Sequence, residues 1–97
     1  MYNISFWTKE TDPCKLKNEY TALLSDSGFG VLNVCEHYFE PYGYTALFLL
    51  SESHLAIHTF PEHNQSYIEL TSCVALPYFR FIKKCNTKTI NHIRKRK

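Results

Sequence analysis

The sequence predicts an α+β domain with a mostly antiparallel sheet. Strand-like segments with a period of two and helix-like segments with a period near 3.6 follow one another in the order β-α-β-β-β-β-α-β. The four middle strands are separated only by short turns, which favours hairpins, and only two helices are predicted beside them. A chain of 97 residues has room for one hydrophobic core, so we expect residues 1–97 to form a single domain.

The first strand and the first helix have clear boundaries. Residues 2–7 form the strand, and Asp12 followed by Pro13 has the order of a helix N-cap and a first helical residue. Gly28 suits a left-handed C-cap. The apolar face of this helix is predicted to consist of Leu16, Tyr20, Leu23 and Leu24.

The middle of the chain contains strands joined by turns. Residues 31–39 are rich in β-formers, and residues 44–50 are almost continuously apolar, which predicts a strand in the interior of the sheet. Residues 54–60 alternate, so Leu55, Ile57 and Thr59 are expected on one face and His54, Ala56, His58 and Phe60 on the other. The remaining predicted elements are a strand at 67–73, a short helix at 76–84 and a closing strand at 87–94.

Positive charge is concentrated at the end of the chain. Residues 1–79 have nine acidic and three basic side chains, whereas residues 80–97 have eight basic and none acidic. Nucleic-acid binding surfaces usually combine basic and aromatic residues along one face, so we expect a solvated tail and treat nucleic-acid binding as unlikely. The sequence has no apolar run of membrane-spanning length and no export signal, so we expect a cytoplasmic protein without a membrane partner.

The cysteines and histidines do not predict a metal site. The four cysteines match neither a CxxC spacing nor a disulfide framework, and we expect Cys14, Cys35 and Cys85 to be buried or partly buried free thiols. His54 and His58 share a strand face, but no third ligand stands at a suitable spacing.

The residues with the most reactive chemistry surround the peptide bond between Glu52 and Ser53. A serine hydroxyl can attack the carbonyl of the preceding peptide bond where the turn is strained and the oxyanion is stabilised. Loss of the serine α-proton from the resulting ester leaves dehydroalanine, which hydrolyses to a pyruvoyl group. His58 lies five residues on and Cys73 twenty residues on. In a regular strand Ser53 and His58 take opposite faces, so contact within one chain requires the turn to break the strand geometry. A polar strand end, a packed histidine and a core thiol remain the alternative interpretations.

Residues 51–62, SESHLAIHTFPE, resemble the processing-site signature of the bacterial S-adenosylmethionine decarboxylase proenzymes. The spacing onward to Cys73 is also that of the family, and residues 37–43, HYFEPYG, resemble the segment before its cleavage strand. The likeness is strong over residues 30–73. It implies a two-layer α/β sandwich with both helices on one face of the sheet.

The resemblance also implies an activity. Cleavage between Glu52 and Ser53 would give fragments 1–52 (β chain) and 53–97 (α chain), with Ser53 converted to a covalently bound pyruvoyl cofactor. That group would form a Schiff base with S-adenosylmethionine and release carbon dioxide, giving a product used in spermidine biosynthesis. The resemblance also implies a homodimer of processed protomers, with active sites between them.

The resemblance assigns roles to individual residues. His58 accepts the serine α-proton during processing, and Cys73 is the proton donor to the decarboxylated carbon. Thr45 stands where the family usually has a processing serine, so its hydroxyl is expected to assist processing in place of that serine. Aromatic and acidic side chains suit a sulfonium and an adenine. The candidates for substrate binding are Phe6, Trp7, Phe39, Phe60 and Glu62.

Some positions near the substrate candidates depart from the family. Val74 stands where a glycine is typical, residues 63–65 read HNQ in place of Tyr-Gly-Tyr, and the first strand has no carboxylate beside its aromatic residues. Two alternatives therefore stay open: the same chemistry on a small amino acid such as ornithine or arginine, and a non-cleaving, non-catalytic relative that binds a partner.

Overall fold

The computed structural model describes residues 1–85 and the backbone of residues 92–96. The order of elements is the predicted one, and the boundaries of the first five strands and the second helix differ from the prediction by two residues at most. Part of the predicted closing strand, residues 87–91, lies outside the described residues. The elements are β1 (Tyr2–Thr8), α1 (Pro13–Ser27), β2 (Val31–Tyr38), β3 (Tyr44–Leu50), β4 (Ser53–Phe60), a 3-10 turn (Pro61–His63), β5 (Gln65–Ser72), α2 (Ala75–Cys85) and β6 (His92–Arg96).

The strands form one sheet in the order β2-β3-β4-β5-β1-β6. Each pair of neighbouring strands in the described chain is antiparallel. Helices α1 and α2 contact each other and pack on one face of this sheet. The predicted α+β sandwich of two layers is therefore confirmed.

The core lies between the helices and the sheet. Alternate residues of each central strand point toward α1 and α2, as the period of two predicts, and each large apolar side chain buried there stabilises the fold by about 1.5–3 kcal/mol. The helix-facing side chains include Ile4, Phe6, Ala46, Phe48, Leu55, Ile57, Ile68 and Leu70, and they meet Leu16, Tyr20, Leu24 and Phe81.

Helix α1 begins and ends where its sequence predicts. The Asp12 carboxylate accepts a hydrogen bond of 2.9 Å from the backbone N–H of Lys15, which satisfies one of the free donors of the first turn. Gly28 has φ 103°, a conformation that a residue with a Cβ atom rarely adopts, and its N–H bonds back to the last turn of the helix.

The second face of the sheet is uncovered in the single chain, and we call it the open face. Leu47 and Leu49 are 47% and 54% exposed there, although β3 lies between two strands as predicted. The nearly continuous apolar sequence of β3 therefore exceeds what one covered face requires. The side chains on the open face include Asn33, Cys35, His37, Thr45, Leu47, Leu49, His54, Ala56, His58, Phe60, Tyr67, Glu69, Thr71, Asn3, Ser5 and Trp7.

The expected burial of the cysteines is wrong for two of them. Cys14 lies in the solvent-facing first turn of α1, and Cys35 lies on β2, whose side chains are mostly exposed because it is an edge strand. Cys85, the last residue of α2, is buried, as expected, and none of the four cysteines is part of a disulfide bond. In the part of the chain that the structure describes, neither helix is long and apolar enough to cross a membrane.

Candidate active site

The predicted cleavage bond lies in the tight turn between β3 and β4. Leu50 pairs with Ser53, so only Ser51 and Glu52 form the turn. Glu52 has φ 57°, in the left-handed region that disfavours residues other than glycine. Such a conformation costs on the order of 1–3 kcal/mol and persists only where the surrounding structure imposes it. Backbone strain therefore lies directly before Ser53.

The carbonyl of Glu52 has a hydrogen-bond donor. The backbone N–H of Cys73 donates to the Glu52 carbonyl oxygen at 3.1 Å. This oxygen would become an oxyanion if Ser53 attacked the carbonyl carbon, and a fixed N–H at this distance is the kind of group that stabilises such a charge. The strained bond thus has one element of an oxyanion hole.

The Ser53 hydroxyl lies on the helix side of the sheet and is largely buried. It donates a hydrogen bond of 2.9 Å to the hydroxyl of Ser72, which is fully buried. Sequence analysis did not select Ser72, because its position opposite Ser53 depends on the register of β4 against β5. The only signal in the sequence was its place directly before the predicted proton donor.

Cys73 follows β5 and is exposed beside the Glu52–Ser53 bond. Its neighbours hold it there, since the Ser72 hydroxyl bonds both the N–H and the carbonyl of Val74 at 3.0 Å. The fold thus brings together three of the predicted residues: Glu52, Ser53 and Cys73.

His58 and Thr45 form a second group on the open face. The two residues are opposite each other in register, and the Thr45 hydroxyl is hydrogen-bonded to His58 Nδ1 at 3.0 Å. The ring of Tyr67 stacks beside the imidazole, with 6.5 Å between ring centroids. These contacts fix the orientation of the imidazole ring.

The two groups are separated within one chain. Ser53 pairs as a regular strand residue with Leu50 and Ser72, so the turn does not break the strand geometry. Ser53 is buried on the helix side and His58 lies on the open face. Five residues of strand also place them about 16 Å apart along β4. Contact between Ser53 and His58 of the same chain is therefore excluded in this fold.

A cavity of about 260 Å³ lies beside His58 and Thr45. It brings these two residues together with three of the predicted substrate-binding side chains, Phe39, Phe60 and Glu62. Trp7 lies next to it, with its ring centroid 5.8 Å from that of Phe60. A second cavity, of about 340 Å³, is lined mainly by apolar groups of β3 and its neighbours, including Cys35, Leu47, Leu49 and His54.

The fifth predicted substrate-binding residue has a different position. Phe6 is 1% exposed and points into the core, where its ring is 6.4 Å from that of Tyr20. Trp7 follows it in the strand and so takes the open face. Phe6 is therefore a core residue, which corrects its assignment to a substrate site.

Polar and charged groups on the helix side of the sheet connect three elements. The Tyr44 hydroxyl and the Lys17 ammonium both donate to the Glu36 carboxylate, which holds the pKa of that carboxyl below its usual range. The pKa of Tyr44 is raised, mainly because its hydroxyl is removed from water and to a smaller extent because it is hydrogen-bonded to Glu36. The contacts tie β2 to β3 and α1. Among the described residues, no group of three or more His, Cys, Asp or Glu side chains is placed to hold a metal ion.

Comparison with known proteins assigns the family. The sequence profile described as S-adenosylmethionine decarboxylase matches residues 7–91. The chain is 45% identical over 74 residues to S-adenosylmethionine decarboxylase proenzyme 2 of Bacillus anthracis, covering 69% of this chain and 60% of that protein. It is 57% identical over 47 residues to the proenzyme 2 of Bacillus cereus, covering 48% and 38% of the two chains. The proenzyme of Prochlorococcus marinus is 40% identical over 65 residues, covering 67% and 52%.

The chain thus spans about half the length of the curated relatives that it matches. The crystal structure of the adenosylmethionine decarboxylase of Aquifex aeolicus superposes with a TM-score of 0.73 at 19% identity, covering 98% of this chain and 85% of that one. At this identity the superposition establishes the shared fold. Because the family profile matches most of the sequence, the chain belongs to the S-adenosylmethionine decarboxylase family.

Proposed function

We propose that this chain is a self-processing, pyruvoyl-dependent decarboxylase that converts S-adenosylmethionine to decarboxylated S-adenosylmethionine. The observation that carries the proposal is the geometry of one peptide bond. A residue with φ 57°, an N–H donor at 3.1 Å from the carbonyl oxygen and a serine hydroxyl meet at Glu52–Ser53. These are the strain, the oxyanion stabilisation and the nucleophile that self-cleavage requires.

Processing proceeds by an acyl shift and an elimination. Ser53 Oγ bonds to the carbonyl carbon of Glu52, the C–N bond breaks, and the hydroxyl proton ends on the Ser53 nitrogen. A base then removes the Ser53 α-proton, and the Glu52 carboxylate leaves with the electrons of the C–O bond. The resulting dehydroalanine takes up water and releases ammonia, which gives fragments 1–52 and 53–97 and a pyruvoyl group at position 53.

We propose that the base is His58 of a second copy. The separation of Ser53 and His58 within one chain supports this arrangement, because proton transfer needs the two groups at about 3 Å or through one water. The open face supports a homodimer, since Leu47 and Leu49 are about half exposed on it. Contiguous exposed apolar surface of this kind is typical of an interface between proteins.

The residues near position 53 and in the His58 cavity suit decarboxylation. A pyruvoyl carbonyl at position 53 supplies an electron sink for the bond to the leaving carboxylate. The exposed Cys73 thiol adjoins position 53 and donates the proton that replaces carbon dioxide. In the same second copy that provides His58, the side chains of Trp7, Phe39 and Phe60 offer aromatic faces to a sulfonium and an adenine, and Glu62 adds a negative charge.

The substrate assignment follows the relatives. Those compared above are named for S-adenosylmethionine, which favours this substrate over ornithine or arginine. The product would serve as the aminopropyl donor for spermidine biosynthesis. The proposal includes a cytoplasmic location, where free thiols such as Cys35 and Cys73 stay reduced.

The intact mass of the purified protein under denaturing conditions tests the proposal. We expect two fragments of 52 and 45 residues, a pyruvoyl mass on the second fragment, and release of labelled carbon dioxide from carboxyl-labelled S-adenosylmethionine. Ser53→Ala should give one intact, inactive chain, whereas Ser51→Ala, in the same turn, should still cleave. An intact wild-type chain after prolonged incubation would contradict self-processing. Carbon dioxide release from ornithine or arginine alone would contradict the substrate.

A further inference from the structure

The buried side chain of Ser72 is hydrogen-bonded to the Ser53 hydroxyl. Its own hydroxyl is fully buried and has three hydrogen-bonding contacts. It accepts from Ser53 at 2.9 Å, accepts from the Val74 N–H at 3.0 Å and donates to the Val74 carbonyl at 3.0 Å. A hydroxyl has one hydrogen and two lone pairs, so these contacts use its full capacity.

This hydrogen bonding links two parts of the cleavage site. The contact with Ser53 directs the Ser53 hydrogen toward Ser72 and fixes the rotamer of the nucleophile. The contacts with Val74 hold residues 72–74 in a turn, and the N–H of Cys73 in that turn donates to the Glu52 carbonyl oxygen. One hydroxyl therefore sets the position of both the attacking oxygen and the oxyanion donor.

We propose that Ser72 is a positioning residue for self-cleavage, acting in the acyl shift through Ser53 and through the Cys73 N–H. This inference rests on the proposed self-processing and adds a residue to it. Ser72 forms no bond to the reacting carbon. The bond from Ser53 Oγ to the Glu52 carbon forms, the C–N bond breaks and the proton moves to the Ser53 nitrogen, as above. Without Ser72, the nucleophile and the oxyanion donor each lose a fixed position.

The first test compares two serines of β5. Ser66 is fully buried on the same face of the same strand as Ser72, and its hydroxyl donates at 2.7 Å to the Glu10 carbonyl. Ser66→Ala therefore matches Ser72→Ala in the loss of a buried hydrogen bond, but it lies away from the turn. We expect Ser72→Ala to slow the appearance of the two fragments by about 10- to 100-fold, since small misplacements of reacting groups have effects of this size. Ser66→Ala should cleave at the wild-type rate.

A second pair of variants controls for the change in side-chain volume at position 72. Ser72→Thr and Ser72→Val add the same branched shape to the core, and only threonine keeps the hydroxyl. We expect threonine to retain most of the cleavage rate and valine to lose it at a similar melting temperature. Equal rates for threonine and valine, or a rate for Ser72→Ala equal to that of Ser66→Ala, would overturn the proposal.

Treatment with hydroxylamine separates the acyl shift from the later conversion to pyruvoyl, because hydroxylamine cleaves the ester between Glu52 and Ser53 that the acyl shift forms. We expect Ser72→Ala to lower the yield of hydroxylamine cleavage at this bond, whereas His58→Ala should keep the ester and lose only its conversion to pyruvoyl. A wild-type ester yield in Ser72→Ala would place Ser72 after the acyl shift and overturn the inference. A wild-type protein that never cleaves would instead contradict the proposed function.

Discussion

The separation of Ser53 from His58 makes a strong prediction about mixtures of two inactive variants. Ser53→Ala has no nucleophile but keeps the imidazole. His58→Ala keeps the nucleophile but lacks the imidazole. If His58 acts on Ser53 of a second copy, a mixed dimer of the two variants contains one complete site, and the chain cleaved in it is the His58→Ala chain.

The expected yield follows from the geometry and from pairing statistics. Within one chain the two residues lie on opposite faces and about 16 Å apart along β4, so cleavage within a chain contributes nothing. Two variants produced in equal amounts pair at random in a homodimeric interface, so about half of the His58→Ala chains enter mixed dimers. We therefore expect up to about half of the His58→Ala chain, and none of the Ser53→Ala chain, to be cleaved.

Coexpression followed by intact mass measurement provides the assay, with a mass tag on one chain to identify the products. Each variant alone should stay essentially uncleaved. Coexpression of His58→Ala with a chain that has both substitutions is the matched control, because that partner brings no imidazole. The reasoning would be refuted by the absence of cleavage in the mixture, or by wild-type cleavage of His58→Ala alone.

Four further predictions test other contacts. In a Ser53→Ala background, Glu52→Gly should raise the melting temperature by an amount equivalent to about 1 kcal/mol of folding stability, because glycine accepts φ 57° without strain. An unchanged or lower melting temperature would contradict strain at this residue. Replacing both Leu47 and Leu49 by arginine should give a monomer by light scattering, because the open face then bears charges; an unchanged dimer mass would exclude this face as the interface. Leu55→Ala should lower the free energy of unfolding in urea by about 2–5 kcal/mol, because Leu55 is fully buried in the core; a loss well below that range would contradict its core position. The lowered pKa of Glu36 means that its carboxylate stabilises the fold above the usual carboxyl pKa and loses this contribution as the pH falls through the lowered value. The difference in melting temperature between the wild type and Glu36→Gln should therefore shrink on acidification. A difference that stays constant with pH would contradict a stabilising role of the Glu36 carboxylate.

The sequence predicted the features that depend on local chemistry. The cap at Asp12, the C-cap at Gly28 and the alternation of β4 are all present, because each depends on residues close together in the chain. The processing motif around Ser53 was visible for the same reason. Local patterns thus sufficed for the order of elements and for the position of the candidate cleavage bond.

Features that depend on pairing between distant strands were not predicted. The Ser53–Ser72 contact requires the register of β4 against β5, and the burial of Phe6 with exposure of Trp7 requires knowledge of which face of β1 the helices cover. The donation from Cys73 to Glu52 joins residues that are far apart in sequence. Periodicity gives the two faces of a strand, but it does not say which face is covered or which residue lies opposite.

The strand order has a consequence for the state of the protein after cleavage. A cut after Glu52 would leave β1, β2 and β3 on one fragment and β4, β5 and β6 on the other. Because the sheet runs β2-β3-β4-β5-β1-β6, β1 is inserted between two strands of the other fragment. Three ladders, β3–β4, β5–β1 and β1–β6, would then hold two separate polypeptides together. The products would be interlocked through the sheet, so the cut changes the covalent chain while the folded particle keeps its mass and shape in native solution.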